Sequence, residues 1–271
     1  MRHGIEIIQR NMNMNNQKEF SRRGLMTTFG LGVAGLAAAR FVPTKELEAA
    51  ISQGSIGDAD ILNFALNLEY LEAEFYTYAI TGKGIPSDLT GGVGKMGATT
   101  GGHEVSFDDP VLTAMAIAIM HDEWNHVKFL RTALGDKAVA KPEINLNALG
   151  LGFKNETEFI LLSRAFEDTG VSAYLGAAKL ISNKDYLEAA AQILAAEAYH
   201  AGAIRAQLLY KSIDAPMLDM MDKIPTTRSV FPTDMNGLAT KRGPGEVGMI
   251  VRGKNDSGGA FYPNGMNGKI R

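Results

Sequence analysis

Apolar residues recur at helical spacing in four stretches of the chain. In the first, from about Asp58 to Ile80, Ile61, Phe64, Ala65, Leu68 and Leu71 fall three or four positions apart, the period of an amphipathic helix. Asp58 or Asp60 is placed to cap its start, and Gly82 to end it. The second begins at Asp109-Pro110, a capping side chain followed by a proline suited to a first helical turn, and runs to about Leu134 before Gly135. The third runs from near Asn155 to about Ile181, and the fourth from near Asn183 to about Lys211. Only a short Ser-Asn-Lys link joins the last two, so they are expected to be antiparallel neighbours. The pattern predicts an all-α fold, an antiparallel four-helix bundle over residues 58–211.

Three segments do not follow this period. A Gly-rich stretch between the first two helices, "TGKGIPSDLTGGVGKMGATTGGHEVSFDD", is long enough to be functional or an ordered excursion over the surface. Residues 212–271 read as an irregular C-terminal extension whose closing "GGAFYPNGMNGKIR" suits a turn or short strands. At the other end, Arg22-Arg23 precedes a Gly- and Ala-rich apolar run from Leu25 that ends in Ala37-Ala38-Ala39. Charge pair, short apolar run and small-residue site, in that order, read as a twin-arginine signal peptide over residues 1–39. The run is too short for a comfortable membrane span. The expected location is therefore periplasmic or extracellular, with no stable membrane insertion once the leader is removed.

Composition narrows the chemistry. The 271 residues carry a net charge of −3, so no basic surface points to nucleic acid. There is no cysteine, which excludes disulfides, thiolate metal sites and iron–sulfur ligation. The Gly-rich stretch lacks the strand–turn–helix setting of a phosphate loop. A homodimer is expected only from how commonly soluble chains pair.

Charged residues inside the apolar helices carry the rest. The second helix contains "HDEWNHVKFLR", with Glu123 and His126 three apart and Arg131 five beyond. The fourth contains "AAEAYHAGAIR", with Glu197, His200 and Arg205 in the same register. The first and third helices also match each other: Glu69 precedes Tyr76 by seven, and Glu167 precedes Tyr174 by seven. The chain thus carries a faint internal duplication. Its two halves differ in spacing by about the length of the Gly-rich stretch, which looks like an insertion.

Residues three apart on a helix lie on one face. A carboxylate and an imidazole so placed can hold one metal, or the carboxylate can bridge two. Four carboxylates and two imidazoles turned into one core repel one another unless cations offset the charge. One Glu from each of two helices and Glu-x-x-His from each of the other two is the donor set of ferritin-like di-iron and di-manganese proteins.

"NLEYLEAEFYTYA", "DEWNHVKFLR", "AFEDTGVSAY" and "AAEAYHAGAIR" carry a resemblance to the ferritin-like superfamily from about Asp58 to Lys211. The rubrerythrin and bacterioferritin side is the nearest part of it. With the leader and the closing "FYPNGMNG", the chain looks most like exported ferritin-like proteins related to desiccation-associated proteins. The resemblance implies Glu69 and Glu167 as terminal metal ligands, Glu123 and Glu197 as bridges, and His126 and His200 as nitrogen ligands. The four glutamates would then be the catalytic carboxylates. Glu69 is preferred over Glu72 because of the tyrosine seven residues on, as in the family's first helix; Glu72, one turn away, is a candidate extra ligand. Tyr76 and Tyr174 are either hydrogen-bond donors or electron sources above the site, or plain core aromatics.

Arg131 and Arg205 read as solvated helix-face charges, and Asp122 and Asp168 as candidate acceptors for the outer ring N–H of a ligating histidine. His121, His103 and Trp124 take ordinary roles, and His3 leaves with the leader. The resemblance implies a di-metal oxidoreductase that binds two Fe ions and reacts them with hydrogen peroxide or dioxygen in a stress response. Two Mn ions in a manganese catalase-like peroxide dismutation are the alternative, because a mixed Glu/His set suits both metals. A non-catalytic iron-binding or structural stress protein is the third reading, since one fold hosts many functions.

Overall fold

The computed structural model describes residues 49–51, 53–253 and 259–270. The leader expected at residues 1–39 lies outside them. Four long helices form the bundle: α1 (Asp58–Thr81), α2 (Pro110–Leu134), α3 (Glu156–Ala177) and α4 (Lys184–Tyr210). A fifth helix, α5 (Pro244–Arg252), two short parallel strands, β1 (Thr99–Thr100) and β2 (Ile144–Asn145), and three short 3-10 turns accompany them among these residues. None of these helices is long and apolar enough to cross a membrane.

The helix ends follow from local chemistry. Asp109 accepts the N–H groups of Val111 and Leu112 at the start of α2, and Asn183 those of Asp185 and Tyr186 at the start of α4. Gly82 closes α1 in the left-handed conformation, φ 67°. The cap of α1 differs from expectation. Gly57 holds the cap position, and Asp60 reaches back to its N–H. Asp58 instead accepts the N–H groups of Ser182 and Asn183, tying the start of α1 to the α3–α4 turn.

The helices differ in how much of their surface is covered. In α2 the buried positions are a single stripe of Leu112, Ala116, Ile119, Met120, Glu123, His126, Val127, Leu130 and Leu134. In α4 they are Ala190, Ile193, Glu197, His200, Ala201, Ile204, Arg205 and Leu208. Both stripes follow the helical period, and the Glu and His of each motif lie within them. By contrast, α1 and α3 are buried on nearly every side, polar positions such as Asn67, Glu74, Arg164 and Ser172 included. Something must therefore cover their outer faces.

The Gly-rich stretch and the tail do so. The stretch is an ordered excursion whose β1 pairs with β2, Thr99 against Ile144. Its Val105 N–H bonds the Ala79 carbonyl of α1. The buried Lys141 donates to Gly97 O and Thr99 Oγ1 at 2.8 Å and lies 3.3 Å from the buried Glu74 of α1. The tail is more organised than its composition suggested, because α5 was not legible in it. Packing on α3 supplies what its Gly- and Pro-rich composition lacks. Arg242 donates its backbone N–H to Ser172 O and its guanidinium to Ser172 Oγ and Asp219. The Tyr262 hydroxyl bonds Asn67 O of α1, and Asn267 joins Asn67 to Lys95 of the Gly-rich stretch and to Ala140 of the α2–α3 connection.

The tail backbone lies so close to α3 that a Cβ at Gly176 would sit 1.8 Å from the Arg242 carbonyl oxygen. Gly176→Ala is expected to destabilise the protein by about 1–3 kcal/mol, the usual cost of overpacking. It should also make the segment around Arg242 more sensitive to protease. Chemical denaturation and limited proteolysis check this, and unchanged stability would mean the tail can shift off α3.

Candidate metal centre

The structure brings all six sequence-predicted residues together. Glu69 comes from α1, Glu123 and His126 from α2, Glu167 from α3, and Glu197 and His200 from α4. They form two groups able to hold a metal ion: Glu69, Glu123, His126 and Glu197 in one, and Glu123, Glu167, Glu197 and His200 in the other. Within each group one donor atom per residue lies within 4.8 Å of all the others. Glu123 and Glu197 belong to both groups. The four glutamates have no solvent exposure, and the two histidines very little.

Each histidine turns Nδ1 inward. His126 Nδ1 lies 3.2 Å from Glu69 Oε2, 3.3 Å from Glu123 Oε2 and 3.4 Å from Glu197 Oε1. His200 Nδ1 lies 3.2 Å from Glu123 Oε1 and 3.4 Å from Glu167 Oε2. The tyrosines cross between the outer ligands. Tyr76 of α1 donates its hydroxyl to Glu167 Oε1, and Tyr174 of α3 donates to Glu69 Oε1. Each terminal carboxylate thus has one oxygen held by a tyrosine and the other turned toward a histidine.

Several of these atoms fit a cation. Glu69 Oε2, Glu123 Oε1, Glu167 Oε2, both oxygens of Glu197 and His200 Nδ1 are buried and make no hydrogen bond. Buried polar atoms normally find a partner. Orphaned oxygens and nitrogens converging on two points, with no sulfur among them, suit divalent Fe or Mn.

The charges respond to one another. Burial opposes charge on both histidines. Glu69 and Glu123 beside His126, and Glu123 and Glu167 beside His200, outweigh it, so His126 is raised and His200 is pushed up to about 12. Burial pushes Glu69 up to about 7 despite His126, and raises Glu167 despite His200. Glu197 is raised well above the usual range by burial and then by Glu123. Burial also disfavours charge on Glu123, but the two histidines flanking it hold its carboxyl low.

The surroundings correct several expectations. Arg205 is not solvated: it is fully buried and donates to Asp168 Oδ2, Val230 O and Lys223 O at 2.6–2.7 Å. Asp168 is therefore no acceptor for a histidine, since Arg205 and Arg164 hold it instead. Arg131 is half-buried and donates to the Tyr70 hydroxyl and Gly91 O. Asp122 does meet a histidine, its Oδ2 lying 3.1 Å from His200 Nε2. Trp124 packs and donates to Thr77 Oγ1 at 2.7 Å. His121 is exposed with its ring edge-on to Trp124, and His103 is exposed in the Gly-rich stretch.

Glu72 lies outside both groups. It is buried, and burial followed by repulsion from Glu197 raises it well above the usual carboxylate range. It lines a small cavity with Leu68, Leu71, Phe166, Thr169, Gly170 and Val251. Gly170 was missed from the sequence, yet it has a signal: it stands three after Glu167, where Glu72 stands three after Glu69. A Cβ there would lie 2.4 Å from Glu197 Oε2 and 3.1 Å from Glu72 Oε1.

Comparison with known proteins agrees with this geometry. The ferritin-like domain model matches residues 57–210. The chain belongs to the ferritin-like family. It is 25% identical over 231 residues to "Desiccation-related protein PCC13-62" of Craterostigma plantagineum, covering 78% of this chain and 71% of the relative. It is 23% identical over 269 residues to "Ferritin-like catalase Nec2" of Nesocodon mauritianus, covering 79% of this chain and 84% of the relative.

Two outcomes follow from the geometry. Gly170→Ala is expected to displace the Glu197 carboxylate and lower metal content per chain at least several-fold; atomic emission on folded protein checks it. Protons and cations compete for the same donor atoms. Protons bound below the raised values of His200 and Glu69 must leave before a cation enters. Metal affinity should therefore rise with pH from 5 to 9, with release of roughly three or more protons per chain at pH 7. Calorimetry in buffers of different ionisation enthalpy measures that number, and no proton release would contradict the assigned charges.

Proposed function

We propose that this chain is a di-metal carboxylate oxidoreductase that consumes hydrogen peroxide, with two Fe ions as the first expectation and two Mn ions as the alternative. One observation carries the reading: two buried donor groups share Glu123 and Glu197, with their inward atoms unpartnered. When bound, two redox-active ions would each supply one electron to an O–O bond.

The chain's own residues contribute position and environment. Glu69, Glu167, His126 and His200 are the end donors, and Glu123 and Glu197 are the shared ones. The Tyr76 and Tyr174 hydroxyls each hold one oxygen of a terminal glutamate, which limits how that carboxylate turns. Apolar packing on α1 and α3 keeps bulk water from the centre. The relative named a ferritin-like catalase supports peroxide over dioxygen as substrate, and supports dismutation as the form of the reaction. A role outside the cytoplasm belongs to the same proposal, supported by Arg22-Arg23 and the apolar run that follows.

The test is metal content and peroxide consumption of protein purified from its own host, beside a Glu197→Ala/His200→Ala variant. About two Fe or Mn per chain is expected. Peroxide turnover should fall at least a hundredfold in the variant together with its metal. Two Mn would favour catalase-type dismutation. Metal-bound wild-type protein that leaves peroxide untouched would favour a non-catalytic stress role, in keeping with the relative named for desiccation.

A further inference from the structure

The internal duplication relates the two metal positions by an approximate two-fold. Glu123 and Glu197 correspond, as do His126 and His200, Glu69 and Glu167, and Tyr76 and Tyr174. Side-chain partners obey the same relation. Arg131 bonds Tyr70, the residue after Glu69, and Arg205 bonds Asp168, the residue after Glu167. Helices α2 and α4 run antiparallel about the centre, with Lys211 at the end of α4 2.9 Å from Asp109 at the start of α2.

The relation fails at a place that touches a metal-donor imidazole. Asp122 precedes Glu123, and its carboxylate meets His200 Nε2 across the helix pair. The corresponding residue before Glu197 is Ala196, which offers His126 nothing. Among the described residues, His126 makes its contacts through Nδ1, and none is recorded at its Nε2.

The difference has chemical consequences. A carboxylate on Nε2 keeps the ring proton there and leaves the Nδ1 lone pair for a metal. It also fixes the ring angle and makes Nδ1 a better donor. His126 has neither advantage. A second asymmetry, Glu72 against Gly170, lies beside Glu197, which both groups share, and meets neither imidazole.

We propose that the two positions are unequal: the His200 position fills first and more tightly because Asp122 positions that imidazole, and the His126 position fills second because Ala196 leaves its imidazole unsupported. This rests on the di-metal reading and concerns the order in which the centre assembles. Asp122 acts only through His200, so it is a positioning residue.

Titration of metal-free, full-length protein with Co(II), followed by calorimetry and visible absorption, tests it. Two steps separated by roughly tenfold or more in affinity are expected, the usual scale for loss of such an outer partner. Crystals grown with one equivalent of Co(II) should show anomalous density beside His200. Asp122→Ala should weaken the first step and bring the two together, and Asp122→Asn should fall between. Ala196→Asp should tighten the second step, and it reads the same effect independently of Asp122. Two equal steps in the wild type, first density beside His126, or an unchanged gap in Asp122→Ala would overturn the proposal while leaving the di-metal reading intact. A chain that takes up no Co(II) would overturn both.

Discussion

Four carboxylates with no solvent exposure, and a fifth at Glu72, converge in the middle of an apolar bundle. An ionised carboxylate taken out of water costs several kcal/mol unless it is paired. Among the described residues, two imidazoles are the groups of opposite sign in ion-pair contact with the four, so the cluster cannot be neutral through these side chains when every glutamate is ionised. The surrounding structure reflects this constraint. Tyrosine hydroxyls take one oxygen from each terminal glutamate. Gly170 gives Glu197 room. Arg205 is paired with Asp168, so its guanidinium is not the partner of the donor glutamates.

Holding that cluster requires covering α1 and α3 on both sides. Their inner faces meet α2 and α4, which each need only one buried stripe. Their outer faces meet the Gly-rich stretch and the tail. Tyr262 and Asn267 fasten the tail to α1 near Asn67, two residues before Glu69. Arg242 fastens it to α3 near Ser172, two residues before Tyr174. The tail lies beyond the residues matched by the family model, yet it is part of the shell that keeps the ligand helices in place.

Duplication explains why such a demanding arrangement is nearly symmetric, and local substitution explains where it is not. Donor residues repeat in register because each half faces the same geometric problem. Their neighbours diverge: Asp122 against Ala196, Tyr70 against Asp168, Glu72 against Gly170. A neighbour can change without removing a donor, so these are the positions at which two chemically similar sites can acquire different properties.

The bundle and its six donors were legible in the sequence because both signals are local. A 3.6-residue period marks a helix, and a Glu-x-x-His pair on its apolar stripe stays on that stripe in any packing. Start and stop residues such as Asp109 and Gly82 act within one turn, and they too were readable. Partners across helices were not. Arg205 looked solvated because nothing in its own helix shows that Asp168 and the Val230 carbonyl wait beside it. Asp122 and Asp168 looked equivalent, and only the placement of α4 gave His200 to one and Arg205 to the other. The short α5 escaped notice because packing on α3, rather than its own composition, supports it. Local periodicity determined which residues share a face; the distances between faces, and hence which charges pair, were decided only when the chain closed on itself.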